Sequence, residues 1–541
     1  MLVALLLLVS GSGILPSIPL DDPAMPWLER WRGRLGCDLP AVRPWAGEDV
    51  LACLEKLDTA QLTGIERAQA AAIRRRLDLR DHEGGYGRRP AWGSVDKQDL
   101  VALDLGASWY ARFAGRRLPV VYRLDTLGDD MDTLPHDLVL GGDLHPRIDV
   151  VLGQNVVVWA RLRQVTELSD GRRWLKSFDP DHGVYQTALF AKEGANASYG
   201  RTSDWLEGAL EFNSTWLRGQ AGVQRLCWGM MPIHPLLFSG EAEPMGWTSV
   251  RKDIGPIRSE VLYGAPLGVT YTEDRKLYAH RTSFDLGAWI PLQLSFSEAM
   301  LSNGRSFQPL YLMPVFPLFF TGHYVGTPDN LLMDFEASVQ VSSKVEFMGE
   351  VFLDDLQNAL GFFSKNWGNK WGLALGTRLV DLTGMGSTDL FQATRIEPWV
   401  YTTSATDLPG AGYTTPVHFG TLLGHPAGPN SLTLEWQHRQ DLSDRWSWLF
   451  SGSALWKGLD LGSSWRDVNG TGFEEGVLQV KEPRKQWLGG DLARVVRAGA
   501  GVEWRLDSQW RLEVQAGGGW QDSVGVKDLW PELSCKLSWR Q

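Results

Sequence analysis

The sequence predicts an all-β, antiparallel transmembrane barrel of about 18 strands with a small α-helical bundle at its N-terminus. Three observations lead to this prediction. After residue 100, polar and apolar residues alternate in one segment after another, as the two faces of a β-strand do. Tight turns and long loops join these segments in alternation. The 26 Trp residues recur near the segment ends, as aromatic residues do where a barrel meets two membrane surfaces.

The stretch KVEFMGEVFLDD, residues 344–355, illustrates the alternation. Glu346, Glu350 and Asp354 share one face, and Phe347 and Val351 share the other. An inward apolar face would leave charged residues against lipid, at a cost of about 2–4 kcal/mol for each Arg or Lys at the bilayer midplane. The polar face is therefore expected to line the lumen. A soluble β-sandwich also alternates, but it does not require so many strands or rings of Trp.

The connections divide into two classes, which predicts their sides of the membrane. Tight turns are expected around Trp289, Ser342, Ser443 and Asp507. Long connections are expected at 229–245, 264–275, 301–328, 356–366, 404–430 and 458–485. Short periplasmic turns and long outer loops are typical of bacterial outer-membrane barrels.

The chain divides into three predicted parts. Residues 1–13 have an apolar run from Leu2 to Val9 followed by small residues, which indicates a signal peptide. Residues 24–85 contain three short amphipathic helical segments, and residues 98–541 form the barrel. No internal apolar run approaches the roughly 18 residues of a membrane-spanning helix.

The four cysteines have different expected environments. Cys37 and Cys53 lie in the helical part, and the sequence leaves open whether they are bridged. Cys227 and Cys535 lie on strand patterns and are expected to be ordinary wall residues.

Composition and motifs exclude several classes of function. The net charge of −11, without a basic stripe, argues against a nucleic-acid partner. The sequence has no hydrolase, P-loop or Cys/His metal motif, so we predict no catalytic residue, no metal and no cofactor. Glu350, Asp354 and Asp355 offer the paired carboxylates that a glycosidase uses, but solvated acids on a lumen face are the simpler interpretation. Weak contact with calcium or sugar hydroxyls near the mouth stays open.

Several segments, in order, resemble the Wzi-like family of capsule-assembly outer-membrane proteins. They are RPW at 43–45, VQRLCWGMMPIHPLLFSGEAEP at 223–244, SFSEAM at 295–300, PDNLLMDFE at 328–336, GEVFLDDLQ at 349–357 and LLGHPAGPNS at 422–431. The resemblance covers nearly the whole mature chain, and it lies in the ordered set rather than in any one motif. Met230 and Met231 depart from the family, which usually has Gly-Pro after Trp-Gly.

The resemblance implies a lectin in the bacterial outer membrane, with its helical part in the periplasm, that helps assemble or attach capsular or other surface polysaccharide. It also implies contact with outer-membrane lipid, lipopolysaccharide and the barrel-assembly machinery. Carried over by position, the candidate polysaccharide-binding residues are Arg225, Trp228, Glu298, Asp329, Asn330, Glu350, Asp354, Asp355, His425 and Asn430.

Aromatic residues on the predicted long loops are further candidates, because sugar rings bind where polar and aromatic groups converge. They are Tyr311, Phe316, Phe319, Phe320, His323, Tyr324, Trp367, Tyr413, His418 and Phe419. Two other functions remain open. The first is a transport channel, which the long loop with LYLMPVFPLFF disfavours because it is expected to fold inward and plug the barrel; the second is an outer-membrane hydrolase or acyltransferase.

Overall fold

The structure is a computed structural model of the chain. It describes residues 15–34, 37, 39–57, 62–77, 91–93, 100–114, 137–153, 155–169, 185–192, 198–214, 216–267, 275–287, 290–314, 316–326, 329–356, 365–366, 368–382, 386–402, 414–418, 421–460, 462–464, 471–474, 477–480, 485–507, 509–523 and 526–540. The predicted signal peptide, residues 1–13, lies outside the described residues.

The wall is a closed antiparallel barrel of 18 strands, which confirms the predicted fold class. The first nine strands are β1 (Leu100–Asp104 continuing as Gly106–Ala114), β2 (Asp137–Leu144 continuing as Arg147–Leu152), β3 (Val156–Ser169), β4 (Ser198–Asn213), β5 (Arg218–Gln224), β6 (Met245–Ile254), β7 (Ile257–Ala265), β8 (Arg275–Asp285) and β9 (Leu292–Asn303). The others are β10 (Asn330–Ser342), β11 (Val345–Leu356), β12 (Asn369–Val380), β13 (Ser387–Ile396), β14 (Ser431–Asp441), β15 (Trp446–Gly458), β16 (Leu492–Arg505), β17 (Trp510–Ser523) and β18 (Val526–Arg540).

The barrel closes between its last and first strands. β18 pairs with β1 from Glu532 opposite Ala114 to Arg540 opposite Gly106. Each other wall strand pairs with its neighbours in chain order, so almost every contact in the sheet joins consecutive strands. This pairing leaves neither β1 nor β18 with a free edge facing lipid along the paired residues, as a membrane barrel requires.

The connections follow the predicted two-sided pattern. One end carries tight turns, such as the two residues Gly255 and Pro256 between Ile254 and Ile257. Gly255 has φ of 57°, a left-handed conformation that favours glycine in such turns. The opposite end carries the long loops 225–244, 304–329 and 397–430. These are called the short-turn end and the long-loop end below.

The strands alternate as the sequence predicts, with apolar side chains outward and polar ones inward. On β10 and β11, Phe335 and Phe347 are 45% and 50% exposed on the outer surface. Glu336 and Glu350 lie directly opposite each other across these strands and are buried on the lumen side. The outward rows give the wall the apolar surface that lipid contact requires.

A belt of tryptophans marks the short-turn end. Trp446 and Trp504 stack with ring centroids 4.8 Å apart, beside the turns that precede β15 and follow β16. Trp510 contacts Trp109 on β1 and Trp539 on β18, at 6.2 and 6.4 Å. Such a belt is typical of the level at which a barrel meets the lipid headgroups.

Among the described residues, three N-terminal helices precede the wall: α1 (Met25–Arg34), α2 (Gly47–Lys56) and α3 (Gly64–Leu77). Thr63 and Glu66 form a reciprocal capping box at the start of α3, with Thr63 N donating to Glu66 Oε2 and Glu66 N to Thr63 Oγ1. Cys37 and Cys53 form a disulfide, which answers the question that the sequence left open. Within the described residues, no helix is long and apolar enough to cross a membrane.

The helices are tied to the inner wall at the short-turn end. Glu29 of α1 pairs with Arg378 of β12 at 2.6 Å, and Arg30 pairs with Asp381 in the turn after β12 at 2.8 Å. Asp49 of α2 pairs with Arg251 of β6 at 2.8 Å. Several well-separated strands therefore hold the helices, which close this end of the lumen from within.

Two further strands pair with the wall: Ala91–Gly93 with β1 and Tyr185–Lys192 with β4. The other described elements are short, namely strands Val42–Arg43, Cys227–Trp228, Phe238–Ser239, Val417–His418, Thr421–Leu422, Thr471–Glu474 and Val477–Val480, a 3-10 turn Pro309–Leu312 and helix α4 (Leu318–Val325). Cys535 lies on β18 of the wall as predicted. The wall prediction for Cys227 is wrong, because this residue belongs to a small sheet inside the barrel.

Candidate functional site

The loop between β5 and β6 folds into the lumen. Its Cys227–Trp228 strand pairs on one side with Phe238–Ser239 and on the other with Val42–Arg43 of the N-terminal part. This loop, residues 225–244, is called the plug loop. Its apolar side chains form a buried hydrophobic core with inward residues of β6 to β13. The buried residues that the plug loop contributes are Leu226, Trp228, Met230, Met231, Leu236, Leu237, Phe238 and Ala242.

A second long loop, residues 397–430, locks onto the plug loop. The Tyr401 hydroxyl donates to Leu236 O at 2.6 Å, and Ser239 Oγ donates to Gly424 O at 2.6 Å. Pairs of this kind hold the two loops together without relying on the wall. The lumen is therefore occupied by a packed unit rather than by separate loops.

Wall carboxylates anchor this unit from below. Glu350 Oε1 accepts a hydrogen bond from Leu236 N at 2.7 Å, and Asp354 Oδ2 accepts one from Tyr401 N at 2.5 Å. Both acids face the lumen, as their strand parity predicts, but they are only 1% and 5% exposed. They lie beneath the plug rather than at an open mouth. Asp355 differs, because it is exposed and lies 3.8 Å from Lys370 Nζ.

Three more of the predicted site residues are buried in the packed unit. Trp228 is fully buried and meets Phe238 edge to face, with ring centroids 5.7 Å apart. His425 Nε2 lies 3.5 Å from Glu435 on β14. Asn430 Nδ2 donates to Ser463 Oγ at 2.8 Å. Each of these side chains has its polar or apolar partners inside the protein.

The sequence reasoning missed His234, a neighbour of His425. Its Nε2 lies 3.4 Å from the same Glu435 carboxylate, and the two imidazole rings are 5.4 Å apart. Burial lowers the pKa of His234, which favours its neutral form inside the plug. A lone histidine in a loop gives no signal of such pairing, because its partners lie on distant segments.

His418 joins three long loops. Its Nδ1 accepts from Leu267 N at 2.9 Å, and its Nε2 contacts Pro244 O at 3.2 Å. Burial lowers the pKa of His418 to about 4, so the ring is neutral at pH 7 and suited to accept at one nitrogen and donate at the other. This candidate aromatic residue therefore holds the loops together instead of facing solvent.

Glu298 supports a helix on the long-loop end. Its carboxylate accepts hydrogen bonds from Leu318 N at 2.9 Å and Phe319 N at 3.4 Å, the first two amides of α4. A negative charge at this position satisfies free N–H groups and complements the helix dipole. The helix ends at Gly326, whose φ of 98° is left-handed.

The helix presents aromatic rings to solvent. Phe319, Phe320 and Tyr324 are 44%, 66% and 84% exposed, and Phe316 just before the helix is 52% exposed. Together with His323, whose ring lies 4.5 Å from Phe319, these residues form what we call the aromatic platform. The sequence predicts that the LYLMPVFPLFF segment folds inward. It does so only in part, because Tyr311 and Leu318 are buried while the platform faces outward.

Polar groups lie beside the platform. Asp329 accepts a hydrogen bond from the Tyr311 hydroxyl at 2.7 Å and pairs with Arg305 at 3.4 Å. Burial, followed by the nearby Asp329 carboxylate, raises the pKa of Tyr311. Asn330 Nδ2 donates to Thr414 O at 3.1 Å. Arg305, one third exposed, is the part of this network that reaches solvent most clearly.

The other predicted candidates are placed as follows. Arg225 begins the plug loop, is partly exposed, and lies 3.6 Å from Glu243. Trp367, Tyr413 and Phe419 lie outside the described residues. Phe307 was not predicted, but it is 48% exposed and packs against Tyr263 on the same end of the barrel.

The closed 18-strand wall, its lipid-facing rows and the packed lumen together define a plugged barrel with the fold of an outer-membrane protein. The chain is similar to Escherichia coli Wzi, an outer-membrane protein involved in group 1 capsule assembly and a carbohydrate-binding β-barrel. The two share 12% identity with a TM-score of 0.54, over 96% of this chain and 98% of Wzi.

Two proteins of Pseudomonas aeruginosa are also similar. OprD aligns at 8% identity and a TM-score of 0.39, over 85% of this chain and 99% of its own. OccK7 aligns at 8% identity and a TM-score of 0.43, over 82% and 98%. No family model and no curated protein sequence matches the chain.

Proposed function

We propose that this protein is an outer-membrane lectin that binds capsular or another surface polysaccharide at its long-loop end and helps attach it to the cell. The observation that carries the proposal is the aromatic platform, four rings at least 44% exposed on one end of a barrel whose lumen is packed. Exposed apolar patches on soluble surfaces mark interaction sites. Here the patch lies beside charged and amide groups.

The chemistry of the platform suits a sugar chain. Aromatic rings offer flat apolar faces to the C–H faces of sugar rings, and Arg305 offers donors to hydroxyl or carboxylate groups nearby. A chain of repeating sugars would lie along such a surface without entering the barrel. The likeness to Wzi supports the proposal, because Wzi binds carbohydrate.

The candidate residues then divide into two roles. We assign direct contact to those that reach solvent at the long-loop end, which are Arg225, Asn330 and Asp355. We assign support to those whose side chains are buried, which are Trp228, Glu298, Asp329, Glu350, Asp354, His425 and Asn430. The second group holds the plug and α4 in the geometry that the first group needs.

The proposed orientation places the long-loop end outside the cell and the helical part, residues 24–85, in the periplasm, with residues 98–541 as the barrel. Outer-membrane barrels generally have short periplasmic turns and long outer loops. Lipid and lipopolysaccharide would surround the wall, and the barrel-assembly machinery would insert it. No catalytic step is part of this proposal.

The test is binding of polysaccharide to the refolded full-length protein, first on an array of bacterial glycans and then with the purified surface polysaccharide. A Phe320→Ala, Tyr324→Ala double variant should bind about tenfold more weakly, because each aromatic contact contributes about 0.5–1.5 kcal/mol. Trp216→Ala is the matched control, since Trp216 is 70% exposed at the opposite, short-turn end.

Two outcomes would contradict the proposal. One is that the wild-type protein binds no surface polysaccharide of its own cell. The other is that the double variant and the Trp216 control bind equally well to the glycan that the wild type selects. Heat-modifiable migration in gels shows that each variant is folded, so a loss of binding is not a loss of the barrel.

A further inference from the structure

Three carboxylates meet on the lumen wall beneath the plug loop. Asp334 and Glu336 lie on β10 and Glu350 on β11, and all three are at most 4% exposed. One oxygen from each of the three lies within 4.8 Å of one oxygen from each of the others. Two oxygens bound to one Ca²⁺ at about 2.4 Å lie at most about 4.8 Å apart, so the spacing fits a common ion.

Only part of this cluster is satisfied by the protein. Glu336 pairs with Arg281 Nη2 and accepts a hydrogen bond from Met230 N. Glu350 Oε1 accepts from Leu236 N at 2.7 Å. Among the described residues, none donates a hydrogen bond to either oxygen of Asp334 or to Glu350 Oε2. Three buried carboxylate oxygens are therefore left without a donor.

The negative charge of the three carboxylates requires a further positively charged partner. Three ionised carboxylates and the one paired guanidinium, Arg281, leave a net charge of −2. A buried, uncompensated charge is costly, so such a group either takes up protons or binds a cation. Asp334 and Glu350 are close enough to share a proton, but a single shared proton leaves one negative charge and the third oxygen unsatisfied.

We propose that Asp334, Glu336 and Glu350 bind one divalent cation of the calcium type, which fastens the plug loop to the wall. An all-oxygen set of carboxylates suits Ca²⁺ or Mg²⁺ rather than Zn²⁺, which favours nitrogen and sulfur ligands. Asp334 and Glu350 supply the free oxygens, and Glu336 retains lone pairs beyond those used by Arg281 and Met230.

The site departs from the sequence prediction of no metal, because its ligands face one another only after β10 pairs with β11. Its place in the fold also gives it a role. Glu336 and Glu350 each hold a plug-loop amide, at Met230 and Leu236, so neutralising their charge stabilises the plug directly. This role does not depend on polysaccharide binding and can be tested without any glycan.

The experiment uses full-length protein refolded from inclusion bodies, which carries no lipopolysaccharide and hence none of its bound calcium. The protein in detergent is stripped with EDTA, saturated with CaCl₂, desalted into metal-free buffer and analysed by mass spectrometry for metals. We expect about one Ca²⁺ per chain for the wild type and almost none for an Asp334→Asn, Glu350→Gln double variant.

Glu346→Gln is the matched control, because Glu346 is a buried lumen acid of β11 that already pairs with Arg378. It should retain one Ca²⁺ per chain. EDTA should lower the thermal unfolding midpoint of the wild type and of this control, and it should leave the double variant unchanged. Gel migration before heating shows whether each variant is folded.

The proposal is overturned if the wild type retains neither Ca²⁺ nor Mg²⁺ above the level of the double variant. It is equally overturned if EDTA leaves the wild-type midpoint unchanged, since the carboxylates are then neutralised by protons alone. Retention of a full equivalent of Ca²⁺ by the double variant would place the ion elsewhere and also overturn the assignment.

Discussion

Asn430 illustrates how much one residue contributes to the long-loop end. Its φ is 56°, a conformation that asparagine tolerates better than most residues. Its amide donates to Ser463 Oγ at 2.8 Å, and its side-chain oxygen accepts from Leu488 N at 2.6 Å. Asn430 thus joins the start of β14 to the loop between β15 and β16.

Two substitutions of Asn430 separate the contribution of its side-chain hydrogen bonds from that of its tolerance of positive φ. Asn430→Ala loses both hydrogen bonds and places alanine, which tolerates positive φ less well than asparagine, at this position. We therefore expect the free energy of unfolding to fall by about 2–4 kcal/mol. Asn430→Gly loses the same bonds but tolerates the backbone, so its loss should be smaller. Urea unfolding in detergent measures both. A glycine variant less stable than the alanine variant would contradict this reasoning.

Glu48 at the start of α2 gives the protein a pH dependence. Burial raises the pKa of its carboxyl from 4.5 to about 7, although the Leu15 amide donates to it at 2.6 Å. The fold therefore favours the neutral acid. Ionisation of Glu48 does not affect the free energy of unfolding below the unfolded pKa of 4.5. It lowers this free energy as the pH rises from 4.5 to about 7, and the effect is constant above that.

The expected size follows from about 1.4 kcal/mol for each pKa unit. Between pH 4.5 and 8, Glu48 should lower the free energy of unfolding by about 3 kcal/mol, and Glu48→Gln should remove that decrease. Unfolding curves of both proteins across this pH range provide the measurement. Parallel pH profiles for the two would show that Glu48 is not the cause.

Asp49, the next residue, should change the stability with pH in the opposite direction, so it serves as a control. Burial alone would raise its pKa, but Arg251 and Arg218 outweigh burial and hold the pKa well below its usual range. Its stabilising effect is present above the unfolded pKa of 3.8 and is lost as the pH falls. Asp49→Asn should therefore destabilise the protein at pH 8, where Glu48→Gln stabilises it.

At the scale of elements, α4 depends on a single wall carboxylate. Glu298 accepts the first two amides of the helix, and Gly326 ends it. Eight residues are too few for a stable helix alone, so its order comes from this cap and from buried Leu318.

Glu298→Ala should loosen the helix while leaving the wall intact. Removal of an N-terminal cap costs about 0.5–2 kcal/mol, which is large for so short a helix. Limited proteolysis should cut the variant between residues 304 and 329 faster than the wild type, and Glu298→Gln, which keeps an acceptor, should lie between them. Equal cleavage of all three would show that the carboxylate does not hold the helix.

The elements also show what sequence could predict. The sequence predicts the wall strands because alternation is a local property, and it predicts the three helices because amphipathic spacing is local as well. The sequence does not predict the inner sheet, because its strand Val42–Arg43 pairs with Cys227–Trp228, which lies far along the chain. Motif resemblance marked Glu298, His425 and Asn430, but only the structure shows that each binds other parts of the protein.

Residues 24–85 are likewise more than an appendage. From the sequence they contribute no wall strand, which suggests that a chain without them still inserts. Their ion pairs with Arg378, Asp381 and Arg251 show that removing them would take one partner from each of these charged residues. We expect such a deletion variant to keep heat-modifiable migration but to unfold at a lower temperature than the full chain.

For the whole molecule, the packed lumen predicts a barrier to ions. The wild-type protein in planar bilayers should show no steady conductance, because the apolar core joins the plug loop to the inner faces of β6–β13. Replacing residues 229–241 by a short Gly-Ser linker should give open channels if the wall alone sets the pore. Steady wild-type currents would favour transport over the lectin proposal.

The inner pairing of Val42–Arg43 with Cys227–Trp228 has a consequence for biogenesis. The N-terminal strand lies inside a ring that closes only when β18 meets β1, at opposite ends of the barrel sequence. Seam closure is thus a long-range, entropically costly event that is slow by nature. If the seam closed first, the N-terminal segment would have to enter a barrel that was already closed. The productive order is therefore one in which Val42–Arg43 already lies inside the incomplete wall when β18 pairs with β1 and encloses it.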